Sequence, residues 1–148
     1  MFSILELIKD QPVAHFDPGQ VIIEQGARTG KLLVLLLGSV EVLRDDVQVA
    51  TESEPGAIFG EIAMLLDGDH IASLRALTRC TFRVIENPLD RLKSSPELSL
   101  HLAQSLARRL DALNKYLVDV RHRYEGDEHL GMVDEVLEAL LRRHPLRD

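Results

Sequence analysis

The chain has 148 residues, 45% hydrophobic and 28% charged, with 24 acidic against 17 basic side chains and a formal net charge of −7. That length suits one domain with a real core, and the balance argues against large-scale disorder and against a nucleic-acid partner, although a small basic patch fits within an acidic whole. The lone Cys80 excludes an internal disulfide, "MFSILELIKD" lacks the features of a signal peptide, and "LLVLLLG" is too short to span a bilayer; a cytoplasmic location without a membrane partner is expected.

The first residues predict a short helix. Ser3 stands as its cap, Glu6 at the capping-box position, and Phe2, Leu5 and Ile8 give it a weak apolar side ending by Gln11, before Pro12. From about Val13 to Ile85 the pattern is β. Turn markers at "DPG" (17–19), Gly26, Gly30, Gly38, "RDD" (44–46), "EPG" (54–56) and "DGD" (67–69) separate short runs. The runs are "VII" at 21, "KLLVLLL" at 31, "VEVL" at 40, "VQVA" at 47, "SLRAL" at 73 and "CTFRVI" at 80, several of them alternating as half-buried strands do. Many short strands without long crossover helices predict a sandwich, jelly roll or barrel, and disfavour a parallel α/β sheet.

After Ile85 the period becomes helical. "NPLDRLK" predicts a short helix with Asn87 as cap and Pro88 at its first position. A long helix follows from the Ser95 cap and Pro96. Leu98, Leu102, Leu106, Leu110, Leu113, Leu117 and Val120 step by three and four along one side, enough to cover the β unit or to pair with a second helix. "EGDEH" breaks the chain, and a last helix is expected from Glu128 to His144, capped by Asp127 and stopped by Pro145.

The stretch with chemical potential is "FGEIAMLLDGDHIASLRA", Phe59 to Ala76. A tight glycine before a helical turn offers convergent backbone N–H groups to an anion, and Glu61 is an acceptor suited to a sugar hydroxyl. From the residues alone, a plain strand–turn–strand with Gly60 serving geometry is the favoured reading.

This sequence resembles the cyclic nucleotide-binding domain family of catabolite-activator-like regulators, kinase regulatory subunits and gated channels. The resemblance rests on "FDPGQVIIEQG", with Phe16, Gly19, Ile22 and Gly26 at family spacing. It continues through "LLVLLLGSVEV", the cassette "FGEIAMLLDGDHIASLRA" and the helix "SLARRL", covering roughly Phe2 to Val120. It implies a mainly β fold with flanking helices: an eight-stranded antiparallel, jelly-roll-like β-roll with N-terminal and C-terminal α-helices. The domain is expected over residues 1–124, including the long helix, with the last helix making 127–148 a C-terminal helical extension. No cofactor is required; the implied ligand is cyclic AMP or cyclic GMP.

By the same resemblance Gly60 and Glu61 take the ribose, Glu61 receiving the 2′-hydroxyl. Ile62 and Ala63 start the cassette helix. His70 stands where the family places an arginine on the phosphate, and Ile71 where a small residue offers its N–H; Ala72 and Ser73 match the small residues that follow. Leu113 and Asn114 fall near the stretch that caps the base in some members. Arg75, two residues beyond Ser73, shares its side of a strand.

Histidine lacks arginine's permanent fork of donors and titrates near pH 6.5. The departures at His70 and Ile71 therefore imply a stand-alone, non-catalytic sensor with weak or altered nucleotide binding. The alternative is a domain that no longer binds nucleotide and acts in protein interaction or dimerisation through its C-terminal helices. A metal-dependent cupin is disfavoured because the six histidines form no H-x-H pair and "HFD" and "DGDH" read as loops. A hydrolase lacks a nucleophile elbow, and the residues after Val120 leave room for one helix, not a winged helix-turn-helix.

Overall fold

The computed structural model describes residues 3–123 together with Glu135 and Ala139. It forms two compact units, Met1–His101 and Leu102–Asp148. The first unit opens with helix α1 (Ile4–Leu7), whose Ser3 cap accepts a hydrogen bond from the Leu5 N–H at 3.1 Å. Its buried side is Ile4 and Ile8, four residues apart, rather than the expected Leu5 and Ile8, since Leu5 is only half-buried.

Eight strands follow: β1 (Val13–Phe16), β2 (Val21–Ile23), β3 (Leu32–Leu37), β4 (Val40–Arg44), β5 (Val47–Glu52), β6 (Ile58–Phe59), β7 (Ser73–Ala76) and β8 (Cys80–Ile85). They build two four-stranded antiparallel sheets, in the orders β1-β8-β3-β6 and β2-β7-β4-β5. This is the eight-stranded roll expected from the sequence. "HFD" is a correction: His15 and Phe16 lie on β1, where His15 pairs with Thr81 in register and its Nδ1 lies 3.1 Å from the threonine hydroxyl.

The core lies between the sheets. Phe82 is fully buried and meets Phe16 and Phe59 edge-on, with centroids 5.7 and 6.1 Å away. Around it pack Ile23, Leu33, Leu35, Val40, Leu74, Ala76 and Cys80. The unbroken "LLVL" of β3 has a simple cause. Leu33 and Leu35 belong to this core, while Leu32 and Val34, of opposite parity, are also fully buried, so both faces of the strand are covered. Ile8 and Leu98, from the helical segments, are sealed to the same degree.

Two turns show why the markers work. Asp45 and Asp46 both take positive φ, 51° and 63°, in the two-residue loop that joins Arg44 to Val47, the backbone that matches strand twist in a hairpin. Gly38, φ 107°, lies so close to Arg79 that a Cβ would sit 2.4 Å from its carbonyl oxygen.

Helix α2 (Glu61–Leu65) interrupts the strands, and α3 (Pro88–Ser94) and α4 (Pro96–Arg123) follow them. Pro88 opens α3 as expected, but Asn87 does not cap it with its side chain, because its left-handed φ of 50° leaves that side chain without a cap hydrogen bond. Ser95 does cap α4, accepting from the Leu98 N–H at 3.3 Å. Along α4, Leu98 and Leu102 are buried whereas Leu110 and Leu113 are 48% and 46% exposed. The last helix expected over 128–144 lies outside the described residues except Glu135 and Ala139, both helical.

Candidate functional site

The antiparallel pairing of β6 with β3 sets Phe59 opposite Leu33 and so delivers the following residue, Gly60, against the start of β3. Gly60 caps α2 in the left-handed region, φ 87°, and a Cβ there would lie 2.8 Å from the Lys31 carbonyl oxygen. Glycine is required here by both conformation and space. The chain then makes the five-residue α2, with Glu61 at its first position only 5% exposed and Ile62 on its open side.

After α2 the chain bends back to β7, and the segment 25–31 between β2 and β3 holds the bend. The His70 N–H donates to the Ala27 carbonyl at 2.9 Å, and the His70 carbonyl accepts from the Gly26 N–H at 2.8 Å. The Gln25 N–H donates to the Ser73 hydroxyl at 2.9 Å. An ion pair joins Arg28 to Asp67. The His70 ring, 5% exposed, places Nε2 2.8 Å from Thr29 Oγ1. Between these anchors the Ile71 and Ala72 amides lie outside the strand ladder and donate to no acceptor among the described residues.

A cavity of about 320 Å³ opens beside this bend. Gly60, Ala63 and His70 line it together with Arg28 and Lys31 from the segment before β3 and Asn87 and Asp90 from the start of α3. Of the eight residues expected at the site, these three share the cavity. Glu61 and Ile62 lie beside it on α2, and Ile71, Ala72 and Ser73 continue the bend without lining it. Ile71 is 43% exposed, so its bulk does not fill the hollow.

Burial holds the His70 pKa below the usual 6.5, against the opposing pull of the Asp69 and Glu61 carboxylates. The ring is thus mainly neutral at pH 7. Arg75 is not available to this site. It stands in register with Glu41 on β4, its Nε donates to Oε1 at 2.7 Å, and Gln48 Nε2 donates to the other carboxylate oxygen at 2.9 Å. Glu41 is a buried acid with both oxygens satisfied.

Sequence reasoning missed Arg28, Thr29 and Lys31. They lie some forty residues before the bend they hold, in a stretch whose only local signal is two turn glycines, so no spacing pattern connects them to it. Among the described residues no three His, Cys, Asp or Glu side chains converge as a metal site would need, and no helix is long and apolar enough to cross a membrane.

Comparison with known proteins adds to this geometry. The model of the cyclic nucleotide-binding domain family matches residues 13–89, just over half of the 148-residue chain. The voltage-gated delayed rectifier potassium channel KCNH1 of Rattus norvegicus is 31% identical over 145 residues, covering 90% of this chain and 14% of the channel. The potassium/sodium hyperpolarization-activated cyclic nucleotide-gated channel 4 of the same species is 28% identical over 133 residues, covering 86% of this chain and 11% of the channel. The chain therefore corresponds to one segment of these much longer relatives. Among solved structures, the catabolite activator protein of Thermus thermophilus superposes with a TM-score of 0.67 at 23% identity, covering 79% of this chain and 58% of that one, which establishes a shared fold.

Proposed function

The chain belongs to the cyclic nucleotide-binding domain family, and we propose that its cassette binds a cyclic nucleotide, cyclic AMP or cyclic GMP, with an affinity altered by His70 and Ile71. The module is regulatory and non-catalytic. One observation carries the ligand reading: the left-handed Gly60 and buried Glu61 open α2, and the bend that follows it carries Ile71 and Ala72 amides with no acceptor among the described residues. Amides of that kind suit a cyclic phosphate, and the Glu61 carboxylate suits the ribose 2′-hydroxyl. With Nε2 held by Thr29, the His70 ring keeps Nδ1 for the ligand.

A phosphate beside the ring favours the imidazolium, which neutral burial disfavours. Affinity therefore rises as pH falls from 8 towards 5. Calorimetry with cyclic AMP and cyclic GMP across that range tests the reading. Tighter binding at the acid end is expected, and no heat at millimolar ligand overturns it.

A second reading, self-association, rests on the exposed Leu110 and Leu113 of α4. An apolar helical stripe left in water is the usual mark of a helix partner.

A further inference from the structure

We propose that Thr29, in the turn before β3, is a positioning residue of the cassette: its hydroxyl holds the His70 imidazole in both protonation states and so presents the other ring nitrogen to an anionic ligand. The inference rests on the nucleotide reading for its ligand, but not for its geometry. Thr29 Oγ1 lies 2.8 Å from His70 Nε2, and the Lys31 N–H approaches the same oxygen at 3.4 Å. A hydroxyl is both donor and acceptor. It donates to Nε2 of the neutral ring, and on protonation it rotates and accepts from Nε2–H.

No other side chain reaches His70 among the described hydrogen bonds, and the backbone pairing of residue 70 with Gly26 and Ala27 keeps the ring on the Thr29 side. The charged groups around the ring come from every neighbouring element. Glu61 lies on α2, Asp67 and Asp69 in the bend, Arg28 and Lys31 in the 25–31 segment, and Asp90 on α3. Of the four that line the cavity, Arg28 and Lys31 balance Asp67 and Asp90. Protonation of His70 then adds one positive charge to the hollow, against the Glu61 and Asp69 carboxylates that also act on the ring. Thr29 stands at the point where that change is made.

A charge-assisted hydrogen bond is roughly twice as strong as a neutral one, so losing Thr29 penalises the imidazolium more than the neutral ring. The test uses the 148-residue chain as wild type, Thr29→Val and Thr29→Ser. The His70 ring signals are followed by NMR against pH without ligand, and cyclic AMP binding is measured at pH 6. In Thr29→Val the His70 midpoint moves downward and cyclic AMP binding weakens by about tenfold, the loss of roughly one such bond. In Thr29→Ser both values return to the wild-type range, an outcome that a merely structural role for the side chain does not produce.

An unchanged His70 midpoint in a folded Thr29→Val chain overturns the proposal, as does a serine variant that behaves like valine. If wild type binds no cyclic nucleotide, the nucleotide reading falls, while the ligand-free titration still decides the role of Thr29.

Discussion

At the scale of single residues, His70 links the fold to solution pH. Its folded pKa is depressed by burial, so between that value and the unfolded value near 6.5 the unfolded chain binds more protons than the native one. Stability from this group is complete above about pH 6.5 and is lost as pH falls towards the folded pKa. Thermal melts of wild type should show a fall in Tm on acidification from pH 7 to pH 5, and His70→Gln, which does not titrate, should flatten that part of the profile. A saturating anionic ligand reverses the sign, because it favours the imidazolium. Gly60 makes a second claim at this scale. Gly60→Ala forces a Cβ to 2.8 Å from the Lys31 carbonyl at φ 87°, and a loss of about 2 kcal/mol is expected in urea titration. The need for glycine at position 60 was legible from its place in the motif. The direction of the His70 ring was not, because Thr29 enters from another strand connection.

At the scale of elements, legibility followed the turn residues. The runs at 21, 40, 47, 73 and 80 became β2, β4, β5, β7 and β8 because turn residues bounded each of them. β1 and β6 were not separated out beforehand: the first is four residues with one apolar–polar alternation, and the second is two residues whose identity comes from pairing with β3. The same dependence on a partner strand explains Arg75. By sequence it shares the Ser73 side of a strand; by register it faces Glu41, which would otherwise be a buried charge without a counterion. Arg75→Ala should therefore cost about 2 kcal/mol of stability, while Arg75→Ala combined with Glu41→Ala recovers part of that loss. Chemical denaturation of the two single variants and the double variant measures the coupling. A double variant no more stable than the additive sum would show that the pair contributes nothing beyond its separate residues.

At the scale of the molecule, one fold serves proteins as different as a potassium channel and a catabolite activator, so the roll does not specify what this chain reports to. The difference between such proteins must lie in surfaces that the roll itself does not use. On α4 the leucine stripe begins as core and ends in solvent: Leu98 is fully buried, whereas Leu110 and Leu113 are nearly half exposed. A stripe needed only for the fold would stop where burial stops, and extending it over further turns costs solubility without adding to the core. The surrounding charge is arranged to tolerate a helix partner. Asp111 pairs with Lys115 and Asp119 with Arg123, each four residues apart within α4, so these charges are neutralised along the helix. Sedimentation equilibrium should then find a concentration-dependent dimer. The double substitution Leu110→Lys and Leu113→Lys should give a monomer whose unfolding free energy per chain changes by less than about 1 kcal/mol, as expected of exposed positions. A wild-type chain that stays monomeric at high micromolar concentration removes self-association and leaves this face to a different protein.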